Sequence, residues 1–144
     1  MKSHSRSEHN HYLELARVLL VDDDPTSRLT LQTVLEAGGY HVDAAASAAE
    51  AVGKMDEQEY QLVLSDLQME SPEAGLKVLA HARNMEYKPA TAIVTSYRNA
   101  NAKSQKQSRA LVEPEDVPGL LAKVANLISE RAARKLLREM RHAN

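Results

Sequence analysis

The chain contains no cysteine, no phenylalanine and no tryptophan. Without cysteine there is no disulfide, no thiolate nucleophile and no cysteine-held metal, and a reducing compartment is the natural expectation. Five tyrosines are the only aromatic residues, so the core is expected to consist of leucine, valine, isoleucine, alanine and methionine. Neither sign of charge dominates, with 18 Lys and Arg against 20 Asp and Glu. That near balance gives no global electrostatic case for nucleic acid or membrane binding. No apolar run approaches the ~20 residues that cross a bilayer, and the N-terminus lacks the apolar core of a signal peptide. A cytoplasmic protein is therefore expected. The 144 residues leave room for one domain with a sizeable core, plus tails.

What the chain does have is three short apolar runs, each ending in side chains that can do chemistry. Arg17-Val18-Leu19-Leu20-Val21 reads as a buried strand, and Asp22-Asp23-Asp24-Pro25 follows it. Adjacent carboxylates repel one another, and such a cluster persists most readily when a cation or a proton joins it, which suggests a metal site. The same four residues also occur as a plain strand-to-helix turn. Gln61-Leu62-Val63-Leu64-Ser65 is a second apolar run, ending at Asp66, and Ala90-Thr91-Ala92-Ile93-Val94 is a third, ending at Thr95 and Ser96. Strands that alternate with helical segments imply a parallel sheet. Its C-terminal strand ends share one edge, where open α/β sheets bind ligands. Asp22, Asp23, Asp66 and Thr95 are thus expected to converge although they are far apart in sequence.

Punctuation between the runs sets the organisation. Residues 1 to about 14 are polar and His-rich, with His4, His9 and His11, and read as a disordered arm rather than a metal site. Strands are expected at 17–22, 41–45, 61–65, 91–94 and 110–112. Asp24 can cap the first helix, with Pro25 at its first position; Leu29, Val34 and Leu35 supply its apolar face, and Gly38-Gly39 ends it. Ser47-Ala48-Ala49-Glu50 has the spacing of a capping box and opens a helix to about 57. The next helix spans about 74–84, with Leu76, Val78, Leu79 and Ala82 available for burial. Residues 98–109 carry no large apolar side chain, so a helix there would be short and loosely packed. A final helix over about 117–141 offers Leu120, Leu121, Val124, Leu127 and Ile128 to the sheet. Beyond Ser129 five basic residues oppose two acidic ones, and Leu136, Leu137 and Met140 form an apolar stripe. That end reads either as a solvated helix or as a helix that binds a partner or forms a homodimer. No DNA-binding motif accompanies the charge, so nucleic acid is not an expected partner.

The three runs, in this order and at these separations, resemble the receiver domain of response regulators in two-component signalling. Val21-Asp22-Asp23-Asp24-Pro25 resembles the family's acidic pair, Leu64-Ser65-Asp66-Leu67-Gln68-Met69 its phospho-acceptor strand, and Ile93-Val94-Thr95-Ser96 the strand with the family's hydroxyl. The resemblance covers about residues 16–128. It implies an α/β fold of three layers, flavodoxin-like, with five parallel strands in the order 2-1-3-4-5. The expected division is an arm at 1–15, a receiver at 16–129 and a basic helix extension at 130–144. The resemblance also implies phosphoryl transfer from a phosphohistidine of a kinase or phosphotransfer protein to Asp66. Mg²⁺ or Mn²⁺ would be held by Asp23, Asp66 and the backbone carbonyl of Gln68, with Asp22 acting mainly through a water. Thr95 would donate to a phosphoryl oxygen, and Tyr97 would shield the site. A carboxylate attacking a phosphoryl group needs neutralised charge and in-line placement, which such a set supplies.

Three positions depart from the family pattern. The family's lysine before a proline at the end of strand five is Glu113 here, before Pro114. A unit charge at about 4 Å is worth roughly 4 kcal/mol at an effective dielectric of 20, so exchanging attraction for repulsion matters. Lys103, Lys106 and Arg109 are candidate substitutes. The family's switch aromatic is Ala110, and Glu70 stands where proline is usual after Met69. The expected function is a stand-alone receiver that relays a phosphoryl signal to an unidentified downstream protein and is not itself an enzyme. The alternative is a degenerate receiver that acts as a phosphorylation-independent interaction module. A metal-dependent phosphohydrolase is a third class, but it needs a second acid two residues after its nucleophile, where Gln68 stands.

Overall fold

Val18, Leu19, Leu20 and Val21 are all fully buried in strand β1 (Arg17–Val21). An unbroken apolar run is what a strand covered on both faces requires. Val18 and Leu20 point into one cluster, while Leu19 and Val21 point into the other. In this computed structural model the described residues are 16–66, 69–94, 110–112 and 116–143. After β1 come α1 (Pro25–Ala37), β2 (His41–Ala45), α2 (Ala48–Glu57), β3 (Leu62–Asp66), α3 (Pro72–Arg83), β4 (Ala90–Val94), β5 (Ala110–Val112) and α4 (Val117–Ala143). All strand pairs are parallel, and the order is β2-β1-β3-β4-β5. α1 and α4 cover one face and α2 and α3 the other. This is the three-layer α/β architecture expected from the sequence.

Caps place the helices as the sequence implies. Asp24 accepts from the Ser27 N–H at 2.8 Å with Pro25 in the first turn, and Ser47 accepts from the Glu50 N–H at 3.1 Å. Glu50 reaches back to the Ala46 N–H at 2.9 Å, one residue earlier than a reciprocal capping box requires. Gly39 takes φ 101°, a left-handed value that glycine adopts freely. A Cβ on Gly38 would lie 2.9 Å from Leu121 Cδ2, so this glycine lets α4 pass close over the end of α1.

Several expectations are corrected. Leu31 and Leu35 form the buried face of α1, whereas Leu29 is 65% exposed. Val78, Leu79 and Ala82 are buried in α3, but Leu76 is 40% exposed. Each misplaced leucine lies two residues before its helix's core face, about 200° round the helix axis. The core is not purely aliphatic: Tyr60 is fully buried, and its hydroxyl donates to Asp43 Oδ2 at 2.7 Å. β1 ends one residue early, β3 is shifted by one, and α3 starts at Pro72 rather than at 74. The arm at 1–15, the segment 98–109 and Tyr97 lie outside the described residues.

α4 keeps one unexpected contact with the body. Arg131 is buried, donating from Nε to the Lys88 carbonyl at 3.0 Å and from Nη2 to the Tyr87 carbonyl at 2.6 Å. Lys88 takes φ 46°, a left-handed conformation that costs a side-chain-bearing residue energy. That turn, immediately before Pro89, aims both carbonyls at the guanidinium. Burial lowers the pKa of Arg131, while the nearby Glu59 carboxylate opposes that shift.

Candidate functional site

The parallel register brings the C-terminal ends of β1 and β3 side by side, with Val21 opposite Ser65. Asp22 follows β1, and its N–H bonds to the Ala45 carbonyl at 3.0 Å, extending the ladder by one residue. The backbone of Asp22 is therefore fixed, and only 2% of the residue is exposed. Its Oδ1 accepts from the Asp24 N–H at 2.9 Å. Asp23 is exposed at the turn, and Asp66, the last residue of β3, is half-buried. One carboxylate oxygen from each of Asp22, Asp23 and Asp66 lies within 4.8 Å of the other two. These acids come from two strand ends more than forty positions apart in sequence, and only the sheet joins them.

Electrostatics at this edge is unfavourable without a cation. Burial raises the Asp22 carboxyl above its ordinary value; the Asp24 N–H and the Asp66 side chain pull it back, and the Asp24 and Asp23 charges push it further up. Two ligands on opposite sides of a Mg²⁺ ion at about 2.1 Å stand about 4.2 Å apart, so the spacing of the three oxygens suits one small divalent ion.

Arg28, Glu70 and Met69 shape the site, and of these sequence reasoning did not single out Arg28. Arg28 donates from Nη1 to the Asp22 backbone carbonyl at 2.9 Å and holds the β1–α1 turn from outside the carboxylate cluster. A cation one turn into the helix after an acidic run was the available signal. Glu70, the departure from proline, accepts from the Ala48 N–H at 3.2 Å, at the start of α2. It thereby ties the chain beyond β3 to a helix N-terminus, where a carboxylate is favoured. Met69 is buried beside it. Of the other residues named from sequence, Gln68, Thr95 and Glu113 lie outside the described residues, and Ala110 is described only as the first residue of β5.

Comparison with known proteins bears on the same residues. The family model described as the response regulator receiver domain matches residues 18–113. The chain is similar to the gliding motility regulatory protein of Myxococcus xanthus, 38% identical over 76 residues, which is 53% of this chain and 9% of that protein. It is also similar to the CAI-1 autoinducer sensor kinase/phosphatase CqsS of Vibrio cholerae, 30% identical over 116 residues, 76% of this chain and 17% of that protein. The chain thus spans less than a fifth of either relative. Among solved structures, a response regulator receiver domain protein from Clostridium thermocellum superposes with a TM-score of 0.69 at 25% identity, covering 85% of this chain and 99% of its own. With its acids gathered at the sheet edge and a family match over two thirds of its length, the chain belongs to the response regulator receiver family.

Proposed function

We propose that this receiver accepts a phosphoryl group on Asp66, with a divalent cation, Mg²⁺ or Mn²⁺, held by Asp22, Asp23 and Asp66. The observation that carries this reading is the 4.8 Å convergence of the three carboxylates. A bound cation would neutralise charge between the attacking carboxylate and the phosphoryl oxygens. The Asp66 carboxylate attacks phosphorus, the bond from phosphorus to the donor nitrogen breaks, and the imidazole keeps the electron pair and takes up a proton. Asp22 and Asp23 supply the cation's remaining charge complement, and Arg28 and the Asp24 N–H hold Asp22 in place. By family resemblance Gln68 contributes its carbonyl to the metal and Thr95 its hydroxyl to the phosphoryl group. The donor is a histidine kinase or phosphotransfer protein, and the receiver at 16–129 signals to a downstream protein. A cytoplasmic setting fits: among the described residues no helix is long and apolar enough to cross a membrane.

The test is incubation with Mg²⁺ and a small phosphodonor, followed by intact-mass measurement. One added phosphate, absent in Asp66→Ala, is the expected result; no adduct with any donor or divalent ion would sink the proposal.

Glu113 favours a second reading, the phosphorylation-independent interaction module. On that reading Glu113 replaces an attractive cation by a repulsive anion beside the phosphoryl position. Glu113→Lys then gives the first detectable or a longer-lived phospho-Asp66. An unmodified protein that is phosphorylated as stably as Glu113→Lys removes the support for this reading.

A further inference from the structure

Glu70 stands where the family carries proline, and its side chain makes a contact that proline could not make. Its Oε2 accepts from the Ala48 N–H at 3.2 Å, in the first turn of α2. Proline stiffens a chain locally, by fixing its own φ. Glutamate fixes nothing locally, so here the restraint comes from a tertiary contact. That contact falls where packing is thin. The small side chains of Ala48, Ala49 and Ala74 leave an open groove of about 480 Å³ between the starts of α2 and α3, and Glu70 is part of its lining. Ser71, at the N-cap position of α3, makes no side-chain cap bond.

The turn that receives Glu70 is itself tied to the carboxylate edge. Ala45 closes β2, and its carbonyl accepts from the Asp22 N–H at 3.0 Å. Glu50 accepts from the Ala46 N–H at 2.9 Å, and Ser47 Oγ accepts from the Glu50 N–H at 3.1 Å, so the turn from Ala45 to Ala48 is braced along its length. A ring of contacts thus runs from Asp22 through this turn to Glu70 and back along the chain to Asp66. Two of the three converging carboxylates lie on that ring. Two residues separate Asp66 from Met69, and one of them is Gln68, to which the family resemblance gives a metal-binding carbonyl. Met69 is buried and Glu70 is tied, so the far end of this stretch is set before a cation arrives. A site whose parts are already placed binds without the cost of ordering them. We infer that Glu70 is a positioning residue for the cation: through the Ala48 N–H it fixes the chain leaving Asp66, in place of the family's proline, and so raises the affinity of the carboxylate edge for Mg²⁺. This inference rests on the cation site proposed above.

Calorimetric titration of the full chain with Mg²⁺ tests it, with Glu70→Gln and Glu70→Ala as the variants. Glutamine keeps an oxygen that can accept from the Ala48 N–H and loses the charge, whereas alanine loses both. Glu70→Ala should bind Mg²⁺ about three- to tenfold more weakly, the equivalent of one hydrogen bond. Glu70→Gln should stay within about twofold of wild type. Affinity is read per folded molecule, so a loss of stability alone does not mimic the effect. A second measurement needs no metal. With chelator present, the Ala48 amide should exchange faster in Glu70→Ala than in wild type or Glu70→Gln. Equal Mg²⁺ affinity in all three proteins overturns the inference, and so does an Ala48 amide that exchanges alike in all three. Glu70→Gln binding as weakly as Glu70→Ala overturns it too, because the charge of Glu70 and not its tie would then draw the cation. A wild-type protein that binds no Mg²⁺ removes the cation site itself, and this inference with it, an outcome distinct from equal binding by the three.

Discussion

The two edges of the sheet treat buried polar groups in opposite ways. At the C-terminal edge three carboxylates of one sign crowd together, and burial pushes the Asp22 carboxyl upward. At the N-terminal edge the buried polar groups are answered from within the chain. Tyr60 donates to Asp43, and Arg17 Nη1 stands 3.5 Å from the same carboxylate oxygen. Arg131 donates to two carbonyls, and the Tyr87 hydroxyl donates to the Met55 carbonyl at 3.0 Å. An edge that satisfies its own groups is built for stability; an edge that leaves like charges together is built for something that arrives.

Substitutions should separate the two edges, and the largest effect is expected at the self-satisfied one. Tyr60→Ala should cost about 3–5 kcal/mol in denaturant unfolding, through lost packing and the lost hydrogen bond to Asp43. It should leave Mg²⁺ affinity per folded molecule unchanged. A cost below 1 kcal/mol would show that the N-terminal edge is not held as described. Next in size is metal linkage. Mg²⁺ at a hundred times its dissociation constant should stabilise the fold by about 2.7 kcal/mol. An unchanged melting temperature in millimolar Mg²⁺, with Asp23→Asn equally indifferent, would remove the contrast between the edges.

Asp22→Asn should favour folding at neutral pH with metal chelated. The sign follows from the raised carboxyl. The stability it contributes is fully present below pH 3.8, its ordinary value, and is lost as pH rises through the higher folded value. Wild type therefore carries the cost at neutral pH, and the amide does not. With saturating Mg²⁺ the order should reverse. Paired urea titrations with and without chelator decide it, and equal shifts in both would count against a cation at this edge. The smallest effect belongs to the N-terminal edge. Tyr87 is pushed up to about 12, chiefly by burial and then by Asp56 and Glu59. Stability should fall between pH 10 and 12 as the unfolded phenol ionises first. Tyr87→Phe should flatten that slope, as read from melting curves across the range.

The sheet and the meeting of Asp22, Asp23 and Asp66 were legible because β1, β3 and β4 each announce themselves as an apolar run closed by a functional side chain. Parallel order then leaves no freedom about where those closures meet. What was not legible depended on phase and on distant partners. Leu29 and Leu76 are apolar residues in apolar helices, and only the orientation of the helix on the sheet places them outside. Tyr60 gave no sign of burial, since its requirement is met by Asp43 on β2. Arg131 stood in a run of basic residues that read as a solvated or a partner-binding helix end, yet two carbonyls some forty positions earlier claim it. The meeting of Asp22, Asp23 and Asp66 follows from the topology alone.

Arg131 also gives α4 a mechanical character. The helix has 27 residues, about 40 Å at 1.5 Å per residue, and it is gripped near its middle. The part beyond the grip projects about 18 Å. Its first half is held on the sheet by Leu120 and Val124, so the part beyond Arg131 is a cantilever, and a bend of about 5° at the grip carries the free tip about 1.6 Å, by the same helical rise. The grip is the left-handed turn at Lys88, immediately before β4. A bend at that grip is therefore felt farthest from it, at the free end that carries Leu136 and Met140.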